Sequence, residues 1–184
     1  MIPPGVETGY EARFDFPPAS GPRRPYLLAS VPRTGSTYLT HLLWETGCLG
    51  APLEYLNFEP AGPYGHAAED PVAQTRLWHN ALQNRVSPNG VFGLKAFPNQ
   101  FNALQFINAE LVNDVIRTVL PGRGSNRVIE LRRRDRRAHI ASYARAMLSG
   151  VWRKVQEKPG TPAPRFDARA AEHAARLIEE QQEV

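Results

Sequence analysis

Tyr26-Leu27-Leu28-Ala29-Ser30-Val31-Pro32-Arg33-Thr34-Gly35-Ser36-Thr37-Tyr38-Leu39 is the stretch from which the fold can be read. A short apolar run stops at Pro32 and gives way to one cation, one glycine and three hydroxyl residues. Apolar residues return at Leu39, Leu42 and Leu43 with helical spacing. That order predicts a strand, a tight turn and a helix. Backbone N–H groups and small hydroxyls would then gather at the positive end of a helix dipole. Such a place holds phosphate or sulfate without a metal.

The same alternation continues outward. The first strand is expected over 26–31, and its helix over about 35–46, stopped by Gly47. Asp70-Pro71 carries the marks of an N-cap with proline at the first helical position. Val72, Leu77, Ala81 and Leu82 then give a helical stripe that ends near Pro88-Asn89-Gly90. Val91-Phe92-Gly93-Leu94-Lys95 predicts a second, buried strand. Leu104, Ile107, Leu111, Val115 and Val119 predict helix up to Pro121-Gly122. Arg127 to Leu131 predicts a third strand. Asp135 caps a further helix with Ile140, Ala144, Met147 and Leu148 inward and Gly150 as its stop. A linker over 158–164 precedes a last helix from about Asp167, with Ala171, Ala174 and Ile178 inward. Strands alternating with helices predict an α/β fold, a parallel sheet with helices on both faces. Ligands of such sheets sit outside the carboxyl ends of the strands. All three expected exits are cationic: Arg33, Lys95, and the run Arg132 to Asp135.

Composition narrows the function classes. The 184 residues are enough for one domain with a sizeable core. Six prolines before Tyr26 mark residues 1–25 as an extended arm, leaving 26–184 as the single domain. A net charge of +4 suits an anionic ligand but does not by itself imply nucleic acid. One cysteine, Cys48, permits no intrachain disulfide. No signal-peptide pattern and no apolar run of membrane-spanning length is visible, so a cytoplasmic protein without a membrane partner is expected.

Two elements carry chemistry. The loop after Val31 lacks the Gly-x-x-x-x-Gly-Lys-Ser/Thr pattern, so no usual Mg²⁺ ligand opens the helix and no metal is expected. An ordinary strand–helix turn is its structural alternative. The second element is Leu131-Arg132-Arg133-Arg134-Asp135-Arg136-Arg137-Ala138-His139-Ile140-Ala141-Ser142. Arg134 and Ser142, eight positions apart, can bracket a second phosphate, the arginine with a forked contact. A solvated basic face is the alternative. Nucleic-acid binding is disfavoured because no aromatic residues alternate with the arginines as stacking platforms. The five histidines show no metal-ligand spacing. A solvated side chain is the expectation for His139, and a core position for Trp44 and Trp78.

Together these elements resemble the PAPS-dependent sulfotransferases, where PAPS is 3′-phosphoadenosine 5′-phosphosulfate. Pro32-Arg33-Thr34-Gly35-Ser36-Thr37 is similar to their 5′-phosphosulfate loop, and Arg134 with Ser142 to their 3′-phosphate site. Thr46-Gly47, Pro52-Leu53-Glu54-Tyr55, Phe92-Gly93-Leu94-Lys95 and Ser149-Gly150-Val151-Trp152 add similarity to the bacterial trehalose 2-sulfotransferase family, over residues 26–152. The resemblance implies a P-loop NTPase-like sulfotransferase fold, three-layer α/β/α with a central parallel sheet. It also implies sulfuryl transfer from PAPS to a hydroxyl of a carbohydrate or other small alcohol, and a homodimer.

By the same resemblance Arg33 serves the bridging oxygen and 5′-phosphate electrostatically, since arginine stays charged. Thr34, Gly35, Ser36 and Thr37 hold the phosphate. Lys95 reaches the sulfuryl oxygens or orients the acceptor. The histidine that many relatives carry two positions after this lysine is Phe97 here, so the base must lie elsewhere. Glu54 is the candidate, with a raised pKa expected from its apolar neighbours. A surface position, or a salt bridge to one of the arginines, is its alternative. Such sulfotransferases continue past the basic helix, so part of the usual C-terminal region is expected to be lacking. The last helix supplies some of that cover or docks on a second copy. A non-catalytic adenosine 3′,5′-bisphosphate-binding module is the alternative function; a kinase is disfavoured by the absent Gly-Lys-Ser/Thr.

Overall fold

Leu28 at the centre of the sheet is wholly buried, and the strand that carries it organises the rest. In the computed structural model, which describes residues 9–19, 23–122, 124–153, 156–157, 159–160 and 162–183, β1 spans Arg24–Ser30. It lies between β2 (Val91–Ala96) and β3 (Val128–Leu131) in a three-stranded sheet of order β2-β1-β3. Both pairings are parallel. Leu28 stands opposite Lys95 on one side and Ile129 on the other. Parallel strands in register deliver their carboxyl ends to one edge, so the 31–37 loop, Phe97 and the 132–135 turn meet there. The α/β fold expected from the alternating pattern is the one observed.

Among the described residues six α-helices accompany the strands: α1 (Ser36–Glu45), α2 (Pro71–Asn84), α3 (Pro98–Ile107), α4 (Ala109–Val119), α5 (Arg136–Ser149) and α6 (Ala168–Gln182). The larger apolar cluster joins β2 to α2, α3 and α4 through Phe92, Leu94, Trp78, Leu104 and Val115. A smaller one joins Val31 to α5 and α6 through Tyr143, Ala144, Ala174 and Ile178. Trp78 is fully buried, as expected. β2 is buried along almost its whole length, which its unbroken apolar run requires.

One chain segment outside the strands matters for the site. Leu53 forms a parallel bridge with Leu94, and its carbonyl accepts the Lys95 N–H at 3.1 Å. Gly93 permits this close approach: a Cβ there would lie 2.6 Å from Tyr26 Oη and 2.7 Å from Pro52 Cβ. Glu54 is thereby held against the end of β2.

The segment 104–119 is two helices rather than one. Asn108 leaves helical geometry, and its side chain accepts from Leu111 N at 3.1 Å to cap α4. Ile107, the last residue of α3, is half exposed in consequence. Val72 and Leu148 also face solvent rather than the core. Val72 lies in the first turn of α2, whose N-terminus is fixed by Asp70 instead. The described part of the arm is packed, not free. Buried Arg85 donates to the carbonyls of Gly9 and Glu11 at 3.0 Å and ion-pairs Asp15 at 3.0 Å. Residues 1–8 and 20–22 of the arm, and Lys158 and Thr161 of the expected linker, lie outside the described residues.

Candidate functional site

The loop between β1 and α1 is shaped by two left-handed residues, Arg33 (φ 72°) and Gly35 (φ 92°). Glycine adopts that region freely; arginine does so at a cost, which the contacts of its side chain offset. Asp70, Asn108, Asp135 and Asp167 cap α2, α4, α5 and α6 with their side chains. Gly35 holds the same position on α1 and has no side chain to offer. The first N–H groups of α1 therefore remain available for an anion. Thr34 Oγ1 is buried without a hydrogen-bond partner among the described residues. A phosphosulfate fits these groups, which offer donors and no negative charge.

The Arg33 side chain turns to α5. Its Nε donates to Ser142 Oγ at 3.0 Å, and Nη1 donates to the Trp152 carbonyl at 2.6 Å. Burial, then the charges of Arg133 and Arg145, pull the Arg33 guanidinium below its ordinary value. Ser142 thus bonds Arg33 of the loop. Arg133 Nη1 donates to the Arg33 carbonyl at 3.3 Å. Arg134 is exposed and lines a cavity with Arg133, Arg136, His139 and, from α6, Ile178 and Gln182. The last helix therefore does wall the basic turn.

His139 corrects the expectation of a solvated histidine. It is 1% exposed, and its Nε2–H donates to the Pro32 carbonyl at 2.8 Å. Burial, with Arg133 and Arg33 nearby, lowers its pKa against the opposing pull of that hydrogen bond. It is a strut that ties α5 to the loop.

The end of β2 brings the catalytic candidates together. Lys95 Nζ lies 2.7 Å from Glu54 Oε1 and donates to Thr37 Oγ1 at 3.0 Å. Glu54 Oε2 accepts from Asn57 Nδ2 at 2.7 Å and Gln100 Nε2 at 3.3 Å, with Arg153 Nη2 at 3.7 Å. Burial pushes the Glu54 pKa up, but Lys95, Arg153 and the donor bonds outweigh it. The carboxyl is held below the usual range. That overturns the expected rise: the apolar neighbours are present, yet two cations face the carboxylate. The salt-bridge alternative also holds, with a lysine as the near partner. Burial pulls Lys95 down against the raising effect of Glu54.

Several residues of this cluster escaped sequence reasoning. Asn57 sits one short turn past Glu54, and Gln100 is the third residue of α3. Arg153 directly follows the Ser149–Trp152 block. Tyr10 reaches in from the arm, where its hydroxyl accepts the Glu54 N–H at 2.9 Å and its ring lies under Arg153. Only the position of Arg153, beside a block already singled out, could have signalled its role. Among the described residues, no three His, Cys, Asp or Glu side chains gather as a metal site needs. No helix among them is long and apolar enough to cross a membrane.

The chain is similar to known proteins over most of its length. A trehalose 2-sulfotransferase of Mycobacterium tuberculosis is 28% identical over 185 aligned positions, covering 84% of this chain and 66% of that protein. A second trehalose 2-sulfotransferase, from Mycolicibacterium smegmatis, is 30% identical over 183 positions, covering 83% and 65%. The chain thus spans just under two thirds of the length of these relatives. The model of the Stf0 sulphotransferase family matches residues 25–184, past the block at which the sequence resemblance stopped. With a match of that extent, whose loop, basic turn and strand-end lysine lie at one sheet edge, the chain belongs to the Stf0 sulphotransferase family.

Proposed function

We propose that this protein transfers a sulfuryl group from PAPS to a hydroxyl of a carbohydrate or another small alcohol. The observation that carries this reading is Lys95, shared at 2.7 and 3.0 Å between Glu54 and Thr37. One side chain links the anion loop to a carboxylate able to take a proton. The similarity to trehalose 2-sulfotransferases supports a sugar as acceptor.

PAPS, when bound, supplies a sulfuryl group attached to a phosphate leaving group. Arg33, the N–H groups of Thr34 to Thr37 and the Ser36 and Thr37 hydroxyls hold the 5′-phosphate side. Arg134 and Ser142 hold the 3′-phosphate. Positioning and charge stabilisation dominate where little covalent chemistry falls to the protein. Lys95 meets the sulfuryl oxygens. Glu54 accepts the proton of the acceptor hydroxyl and is ionised over the whole neutral range, as that role requires. Under the same reading the protein works in the cytoplasm and pairs with a second copy.

Thermal unfolding with adenosine 3′,5′-bisphosphate, without metal, compared with ATP plus Mg²⁺, tests the cradle. Radiolabelled sulfuryl transfer to trehalose and a sugar panel tests catalysis. Glu54→Gln is expected to lower kcat by about 10²-fold or more while bisphosphate affinity holds. A non-catalytic bisphosphate-binding module is the second reading, favoured by the engagement of both Glu54 oxygens. Stabilisation by the bisphosphate with no transfer to any acceptor would select it.

A further inference from the structure

Gln100 is 3% exposed, and the orientation of its amide is decided by the backbone. Its Oε1 accepts the Phe97 N–H at 3.1 Å. A flipped amide would set donor against donor there, and oxygen against the Glu54 carboxylate. Nε2 must therefore point at Glu54 Oε2. Asn57 tells the same story at a visible cost. Its Nδ2 donates to that oxygen at 2.7 Å, while its own Oδ1 is buried with no hydrogen-bond partner among the described residues. An orphaned buried carbonyl destabilises the fold, so the orientation of Asn57 is set by Glu54. The other oxygen, Oε1, is met by Lys95, which has an alternative partner in Thr37 Oγ1. Oε2 is clamped by two fixed amides, with Arg153 Nη2 at 3.7 Å; Oε1 is met by the buried Lys95 ammonium, which it shares with Thr37.

We propose that Asn57 and Gln100 are positioning residues that clamp Glu54 Oε2 as a permanent acceptor, so that Oε1 is the oxygen that takes a proton. This rests on the reading of Glu54 as the base. In the proton transfer, the acceptor O–H bond breaks, an O–H bond forms at Oε1, and the electron pair of the broken bond stays on the acceptor oxygen, where it is the nucleophile toward the sulfuryl group. The carboxylate becomes a neutral acid, and Lys95 keeps its charge and moves toward Thr37. The titratable groups facing Glu54 are Lys95 from β2, Arg153 after α5, Tyr10 from the arm and Glu59 from its own loop.

NMR titration of the full chain carrying ¹³C-labelled glutamate, with Glu54 assigned by Glu54→Gln, tests the clamp without any ligand. Gln100→Met, which removes the donor, is expected to move the Glu54 midpoint to higher pH. Gln100→Glu keeps the acceptor for Phe97 N–H and sets a second carboxyl against Oε2, so it moves the midpoint further. Asn57→Ala serves as an independent variant should either Gln100 variant misfold. In wild type the Asn57 and Gln100 side-chain amide protons keep hydrogen-bonded shifts through the titration. An unchanged midpoint in the folded variants, or collapse of those shifts to free-amide values on protonation, overturns the clamp. The acid limb of the transfer pH profile is expected to follow the midpoint. A midpoint that moves in a protein without transfer activity upholds the clamp and removes the functional reading. Normal transfer with an unmoved midpoint does the reverse.

Discussion

Lys95 and Glu54 form a buried ion pair of the kind whose members depend on each other. Removing one leaves an uncompensated charge, which costs about 3–5 kcal/mol. Lys95→Met is therefore expected to destabilise strongly in urea unfolding, and Lys95→Met with Glu54→Gln to regain much of the loss. The pair also fixes a pH dependence. The folded pKa of Glu54 lies below its unfolded value, so its stabilising contribution is complete above the ordinary glutamate range. That contribution is lost as pH falls through the folded pKa. A urea midpoint that declines below the ordinary range in wild type, and declines less in Glu54→Gln, is the expected result. Arg33 offers the contrast: its place in the loop after β1 was legible, but its bonds to Ser142 and the Trp152 carbonyl were not.

Elements place these residues through turns and close approaches. Gly35 has open space where a Cβ would stand, so Gly35→Ala is expected to cost only the left-handed strain, about 1 kcal/mol. Circular dichroism melting reads the loss, and bisphosphate titration reads any change in the loop. Gly93 is the opposite case. Its missing side chain lets Pro52 and Tyr26 close on β2, so Gly93→Ala is expected to cost about 3 kcal/mol through overpacking. Sulfotransfer would fall with it, because the bridge from Leu53 to Leu94 holds Glu54 beside Lys95. The caps of α2 and α5 were legible, since an aspartate before a helical stripe bonds only its own next turn. The break at Asn108 was not, because apolar spacing runs through it.

At the scale of the molecule, three parallel strands bring one anion loop, one lysine and one basic turn to the same edge. Under the proposed function the loop and the turn take opposite ends of a bisphosphorylated adenosine. Saturating adenosine 3′,5′-bisphosphate is expected to stabilise the fold by about 2.7 kcal/mol at a hundredfold excess over Kd, with no requirement for Mg²⁺. Arg134→Ala is expected to weaken that binding by about 1.5–3 kcal/mol, as loss of a charge-assisted bond does. An unchanged affinity measured by calorimetry would remove Arg134 from the second phosphate site and leave Arg133, which already bonds the loop.

The sequence alone determined the strand–loop–helix units, the parallel sheet, the cationic strand ends and the family. The first three follow from spacing within a few residues, where backbone geometry repeats and side chains meet near neighbours; the family was legible as a resemblance of whole motifs. The tertiary structure decided which groups face Glu54, that His139 is a buried strut, and that the carboxyl is held down rather than raised. Those outcomes depend on residues far apart in the chain being pressed together by packing. Local periodicity carries no record of the electric field that results.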